Sequence, residues 1–184
     1  MRWVERQQGG ASTPAAPLRG PSRASRIAVA LLTLGAVAVT LAGCSVLPPG
    51  PAARNASDAP SQANPSANVF SITVGECLDD ATASGTVTTA PIIPCSHPHN
   101  SEAYKSIEMA DGSFPGDAAV QSAANEGCAT AFPGFVGIPY DDSKLSISYY
   151  FPTAESWKNG DRQIMCTVYD AGRRTTGTLK NAKR

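Results

Sequence analysis

Hydrophobic residues concentrate in one uninterrupted run near the start of the chain and in several short periodic segments after residue 68. The run covers residues 27–41 and contains no charged side chain. It follows a positive flank formed by Arg19, Arg23 and Arg26. A basic flank before a short apolar core is typical of a secretory signal peptide, so the run predicts export of the chain.

The end of this run predicts where the leader is removed. Residues 41–44 are Leu-Ala-Gly-Cys, in which small residues precede a cysteine whose thiol can take a lipid. We therefore expect residues 1–43 to be a lipoprotein signal peptide and Cys44 to carry an acyl lipid such as palmitate. An uncleaved transmembrane helix is the alternative, because residues 27–44 make 18 uncharged residues, the lower limit for spanning. With either anchor the arginines stay inside, which places the rest of the chain on the extracytoplasmic face of the cell membrane.

Periodicity in the remaining sequence predicts two helices and several strands. Apolar side chains repeat at helical spacing over residues 116–132, and Pro133 follows as the expected end. A short second helix is expected to begin after a Thr153 cap and to carry Trp157. Alternation at a period of two predicts strands over residues 101–109, 145–151 and 162–170. This order indicates a small α+β fold, with a mostly antiparallel sheet, one main helix and a short second helix.

Composition divides the chain from Cys44 onward into three parts. Residues 44–68 are rich in Pro, Ala, Ser and Asn, and they predict a flexible tether because they cannot bury enough apolar surface to offset the entropy of ordering. Residues 69–170 form the predicted domain, and residues 171–184 are expected to be a basic, solvated C-terminal tail. The domain carries 13 acidic and four basic residues, which argues against nucleic acid as a partner.

The predicted domain contains four further cysteines, Cys77, Cys95, Cys128 and Cys166. In an exported domain they predict two disulfide bonds, for which three connectivities exist. Zinc binding is the competing interpretation, but the spacings of 18, 33 and 38 residues include no Cys-x-x-Cys pair. Cys128 and Cys166 fall on the apolar faces of the main helix and the last strand. This placement favours the pairs Cys77–Cys95 and Cys128–Cys166, stapling the domain.

The two histidines of the chain raise the question of a metal site. His97 and His99 follow Cys95 by two and four residues, and Glu102 lies nearby in the sequence. Two imidazoles and a carboxylate can bind a metal ion when the chain brings them together. Hydrogen bonding of these side chains within a turn is the favoured interpretation, so we expect no metal and no cofactor.

Other polar motifs predict no catalytic residue. The chain has no Gly-x-Ser-x-Gly motif that would mark a hydrolase nucleophile. The adjacent acids Asp79-Asp80 and Asp141-Asp142 are expected to lie in solvated turns. Asp161 and Arg162 follow Gly160 and are expected to form an ion pair that fixes a turn.

Several of these motifs together resemble a known family. Residues 74–78 (Val-Gly-Glu-Cys-Leu), 87–94 and 95–104 look like the opening motifs of the actinobacterial septum-formation domain family, and residues 114–116, Cys128 and residues 152–166 look like its middle and end. The resemblance covers about residues 69–179. It implies a lipid-anchored or membrane-tethered envelope protein with a role near cell division or envelope assembly, and it supplies no catalytic residue.

The sequence therefore predicts a non-enzymatic binding domain held at the cell membrane by a lipid on Cys44. Its expected partner is an envelope or division protein, contacted by exposed loops, which usually carry recognition on a rigid scaffold. The candidate contact residues are His97, His99, Glu102, Trp157, Asp161 and Arg162. The alternative is an envelope enzyme or a metal-binding module that uses His97, His99 and Glu102.

Overall fold

The structure of the protein, a computed structural model, describes residues 1–5 and 62–184. Within these residues the two α-helices are α1 (Asp117–Val136) and α2 (Ala154–Lys158), and short 3-10 helices cover Val69–Ser71 and Tyr140–Asp142. The described strands are β1 (Arg2–Glu5), β2 (Asn64–Asn68), β3 (Cys77–Leu78), β4 (Gly85–Thr86), β5 (Thr89–Ile93), β6 (Ser101–Glu108), β7 (Leu145–Phe151) and β8 (Gln163–Asp170). They form one antiparallel sheet, which confirms the predicted α+β class.

The predicted membrane anchor lies outside the described residues. The apolar run, Cys44 and most of the predicted tether fall between the two described ranges. Over residues 1–5 and 62–184, no helix combines the length and the apolar character needed to cross a bilayer.

The sheet has the strand order β2-β5-β3-β6-β8-β7-β1-β4, and it curls. β4 lies at one end of this order and β5 lies next to the other end, yet only Val87 and Thr88 link the two strands. The backbone N–H of Val87 donates to Met1 O at 3.0 Å, and that of Val69 donates to Thr88 O at 3.1 Å. Met1 precedes β1 and Val69 follows β2, so these two hydrogen bonds hold the opposite ends of the sheet close together.

Helix α1 packs against β6, β7 and β8 on one face of the sheet. Its buried side chains recur at helical spacing and meet the alternate residues of β7 and β8 that point to the same side: Val120, Ala124, Cys128 and Phe132 against Ile147, Tyr149, Ile164, Cys166 and Val168. A disulfide bond joins Cys128 to Cys166 across this contact, and a second joins Cys77 to Cys95. Both predicted pairs are confirmed.

The main helix continues beyond its predicted end. Pro133 lies inside α1, which ends at Gly137 with a φ of 91°. A proline in the last turn removes one backbone hydrogen bond. The added residues Phe135 and Val136 join the core, and the burial of their side chains offsets that loss. Gly137 supplies the left-handed end, with its N–H donating to Pro133 O at 2.9 Å.

The C-terminal segment is packed against the domain, so the prediction of a solvated tail was wrong. Leu179 is 2% exposed and belongs to the core beneath α1. The N–H of Lys183 donates to Val136 O at 2.9 Å, which fastens the segment to the end of the helix. The basic side chains dominated the prediction, whereas the buried Leu179 decides the placement.

Two other segments outside the predicted domain also join the sheet. Asn64–Asn68, taken from the predicted tether, pairs with β5 as strand β2. Arg2–Glu5, taken from the predicted leader, forms β1 between β7 and β4.

Candidate binding site

The six candidate contact residues fall at opposite ends of the central strands. Glu102 lies near the start of β6, and Glu108, at the other end of that strand, pairs with Gln163 directly after Arg162. Six residues of strand span about 20 Å. The loop containing the histidines and the turn before β8 therefore do not form the single surface that was expected.

His99 is buried and holds the C-terminal segment. Its backbone exchanges two hydrogen bonds with Thr175, at 2.8 and 2.9 Å. On the ring, Nδ1 lies 2.9 Å from His97 O and Nε2 lies 3.0 Å from Thr175 Oγ1. A carbonyl only accepts, so Nδ1 carries the proton and Nε2 accepts from the threonine hydroxyl. Both ring nitrogens are therefore used inside the protein.

Glu102 is the second anchor of the same segment. Its carboxylate accepts from Thr178 Oγ1 at 2.6 Å and from the backbone N–H of Leu179 at 2.5 Å. Burial raises the pKa of the Glu102 carboxyl, and these two donors partly offset the shift. Together His99 and Glu102 act as a clamp on residues 175–179, and they do not belong to an exposed contact surface.

The clamp also changes the metal hypothesis. The Glu102 carboxylate lies close to the sulfurs of Cys77 and Cys95, but these sulfurs are joined in a disulfide and offer no thiolate. His97 is exposed, while the ring nitrogens of His99 are engaged by neighbours. The three predicted ligands are thus not presented together to a metal ion.

We predict that His99→Asn weakens the fold by about 2 kcal/mol at pH 7, because two buried hydrogen bonds are disturbed. Burial lowers the pKa of His99, so the neutral ring stabilises the folded state. This contribution to stability is complete above about pH 6.5, the pKa of histidine in the unfolded chain. It is lost as the pH falls through the lower pKa that His99 has in the folded state. The gap between wild type and variant in urea denaturation should therefore narrow from pH 7 to pH 5.

His97→Asn is the matched control, since His97 is exposed and the chain has only two histidines. Asp80 and Glu102 have raised pKa values, so their contribution to stability changes with pH in the direction opposite to that of His99. Both residues are present in every variant, so their contributions cancel when the variants are compared. A wild-type-to-His99→Asn difference that stays constant with pH would contradict the role of the neutral ring.

Trp157 lies in α2, and Asp161 and Arg162 follow in the turn before β8, so that the three residues form one corner. The helix begins with a capping box in which Thr153 and Ser156 bond each other's backbone N–H. The Arg162 guanidinium stacks on the Trp157 ring, 3.9 Å from its centroid, and donates to the carbonyls of Trp157 and Asp161 at 2.8 and 2.9 Å. Trp157 itself is buried and donates to Gly112 O. Arg162 forms its ion pair with Asp111, at 3.2 Å, in place of the expected pair with Asp161.

A groove of about 650 Å³ lies beside this corner. Its walls come from α2, the 159–163 turn and the end of β6, and they are completed by Phe70 and Met1. Phe70 is 46% exposed, one of two large apolar residues so exposed in the described chain. An apolar side chain open to solvent in a concave surface is typical of a binding site.

Asp161 provides a polar group at this groove. Its Oδ1 accepts from the N–H of Gln163 at 3.2 Å, while the buried Oδ2 has no hydrogen-bond partner among the described residues. The terminal ammonium of Met1 is the charge that interacts with it, and it also lies 3.4 Å from Val87 O. Burial lowers the pKa of this amino group, and Asp161 partly offsets the effect.

Asp80 was expected in a solvated turn, but it is 4% exposed. Ser101 Oγ lies 2.8 Å from both of its carboxylate oxygens, and Tyr150 OH donates to Oδ2 at 2.9 Å. Burial raises the pKa of Asp80, and the hydroxyl donors partly offset this shift. Adjacent acids give no sequence signal for such burial, because it depends on strands that are distant in the chain.

A second cavity of about 450 Å³ adjoins Asp80 on the face of the sheet opposite α1. Ser148 is 1% exposed, and its Oγ has no hydrogen-bond partner in the part of the chain that the structure describes. Arg173 and Arg174 line the same cavity, and Arg174 pairs with Asp79 at 2.9 Å. The cavity thus presents hydroxyl, carboxyl and guanidinium groups, a set suited to a small polar molecule.

Comparison with known families identifies the part of the chain that contains the folded domain. The model of the family described as "Septum formation" matches residues 74–183. The match includes both disulfides, the His99–Glu102 clamp and the C-terminal segment that the clamp holds.

Two curated relatives are similar to this chain over 140 residues. Both are named "Putative lipoprotein LppN", from Mycobacterium tuberculosis and Mycobacterium bovis. Each is 29% identical, and the alignment covers 72% of this chain and 77% of the relative. No solved structure matches the chain.

Proposed function

The chain belongs to the septum formation family, and we propose that it is an envelope lipoprotein whose domain binds a partner protein without catalysing a reaction. The name of its mycobacterial relatives supports the lipoprotein assignment. In this proposal the leader is removed before Cys44, and a lipid on that cysteine holds the domain at the extracytoplasmic face. The partner belongs to the machinery of envelope assembly or septum formation.

The groove beside Trp157 and Arg162 carries the binding proposal, and its remaining walls form the surface once the leader, and Met1 with it, has been removed. Its corner is fixed by stacking and by partly buried hydrogen bonds, so it changes little in shape when a partner arrives. Phe70 adds an exposed apolar anchor, and aromatic anchors commonly dominate the energy of an interface. The absence of catalysis is inferred from the opposite end of the sheet, where the polar atoms of His99 and Glu102 are engaged in holding the chain.

The test uses the full chain in an actinobacterial host, with membrane fractionation followed by photo-crosslinking in the envelope. Wild type should fractionate with membranes and give a discrete crosslinked adduct. Cys44→Ala should lose the lipid mass and leave the membrane fraction. Phe70→Ser should remain in membranes and lose most of the adduct, because it removes the apolar anchor without opening the core.

Val74→Ser is the matched control, because Val74 is the other large apolar residue that is strongly exposed, at 51%, and it does not line the groove. It should keep both the membrane location and the adduct. Membrane retention of Cys44→Ala without a mass change would refute the lipid anchor. Equal adducts from Phe70→Ser and Val74→Ser would refute the groove as the binding surface.

A further inference from the structure

Strand β1 occupies a gap in the sheet between β7 and β4. Arg2 pairs with Phe151 and Trp3 with Tyr150, in a register that continues to Glu5. On its other side β1 pairs with β4, and the N–H of Val87 donates to Met1 O. The backbone of this short segment therefore completes hydrogen bonding on both of its edges.

The side chains of β1 also fit defined positions. Met1 is 2% exposed and packs with Tyr150 and Met165, and Trp3, two residues on, joins the same cluster. Arg2 points to the other side, where its guanidinium pairs with Asp117 at 2.8 Å. The gap thus accepts large apolar side chains at alternate positions with a basic residue between them.

The same five residues belong to the predicted leader. If the chain is cut before Cys44, as the proposed function requires, β1 leaves the domain. The edge of β7 then loses its backbone partners, and the positions of Met1 and Trp3 become open apolar pockets. An exposed edge of this kind readily pairs with another extended chain.

We propose that this vacated gap binds an extended segment of a partner protein, which replaces β1 as a strand. The inference rests on the proposed function and deepens it, because Met1 also lines the groove beside Asp161 and the two openings are continuous. The segment recognised carries apolar side chains at alternate positions and a basic residue between them. With the packed C-terminal segment included, residues 69–184 carry 13 acidic and nine basic residues, and this net negative charge favours such a basic partner.

The experiment uses the chain from residue 44 onward with Cys44→Ser, so that no lipid is needed, and a synthetic peptide with the sequence of residues 1–8 and a free amino terminus. Calorimetry should show one-to-one binding with a Kd on the order of 10 μM. The peptide carrying Met1→Ser and Trp3→Ser keeps every charge and should bind at least tenfold more weakly. The full chain, whose gap is filled, should not bind the peptide.

A second full-length protein carrying Trp3→Ser covers the case in which the shortened chain is unstable. Its β1 is weakened, so it should take up the wild-type peptide where the unmodified full chain does not. Failure of the shortened chain to fold even with peptide, or equal binding of both peptides, would overturn the proposal. Neither result would affect the lipid anchor, which is measured separately by the mass and fractionation of Cys44→Ala.

Discussion

Leu179→Ala is expected to lower the free energy of unfolding by about 3 kcal/mol and the melting temperature by about 10 °C. Leu179 is 2% exposed and packs in the core beneath α1, so truncation of its side chain leaves a cavity. Its N–H also donates to the buried Glu102, and loosening of the segment would weaken that bond. Urea denaturation followed by circular dichroism measures both the loss and its cooperativity.

Lys180→Ala is the matched control, since this neighbouring side chain is exposed and its loss should change stability by less than about 0.5 kcal/mol. A chain shortened to end at Gly177 should be destabilised at least as strongly as Leu179→Ala, because it also removes the Thr178 donor to Glu102. Unchanged stability of either altered protein would mean that the segment is not part of the domain's core.

Replacing Cys128 and Cys166 together by alanine should cost about 4 kcal/mol, the value that the chain-entropy model gives for a loop of this length. The bridge closes 38 residues and joins two fully buried side chains, one on α1 and one on β8. For a domain whose total stability is about 5–15 kcal/mol, this loss is a large fraction. Thermal unfolding of the two proteins under non-reducing conditions measures the difference.

The Cys77→Ala and Cys95→Ala double variant provides the comparison. Its loop of 18 residues is shorter, and the same model gives a cost of about 3 kcal/mol. It should also leave α1 attached to the sheet, because the bridge joins β3 to the loop after β5. A larger loss from this pair than from Cys128 and Cys166 would contradict the view that the helix–sheet staple dominates.

Helices and strands that depend on their own residues were predicted well from local sequence patterns. The alternation over residues 145–151 gave β7 at its observed bounds, Leu145–Phe151. The Thr153 cap predicted α2, and the apolar faces of a helix and a strand identified the Cys128–Cys166 pair. In each case the prediction depended on a repeat of apolar residues or on a helix cap, and both are formed by residues close together in the sequence.

The candidate site was predicted less well, because burial depends on partners far apart in the chain. His99 and Glu102 appeared as loop residues open to a ligand, but their polar atoms are engaged by residues 175–179, more than 70 positions away. Asp80 gave the same kind of error, since the hydroxyl of Tyr150 lies 70 positions along the chain. The residues next to a polar side chain in the sequence do not show which distant residue will bond to it or whether it will be buried.

Spacing and periodicity among neighbouring residues were enough to predict the two cysteine pairs and the α+β class. Which of the remaining segments join the sheet depends on contacts that form only when the chain folds. Arg2–Glu5 enters the sheet because Met1 and Trp3 fit a gap made by β7 and β4, and the C-terminal segment stays because Leu179 is buried over Glu102. A short segment gains its stability from the surface that receives it, and that surface exists only after the chain has folded.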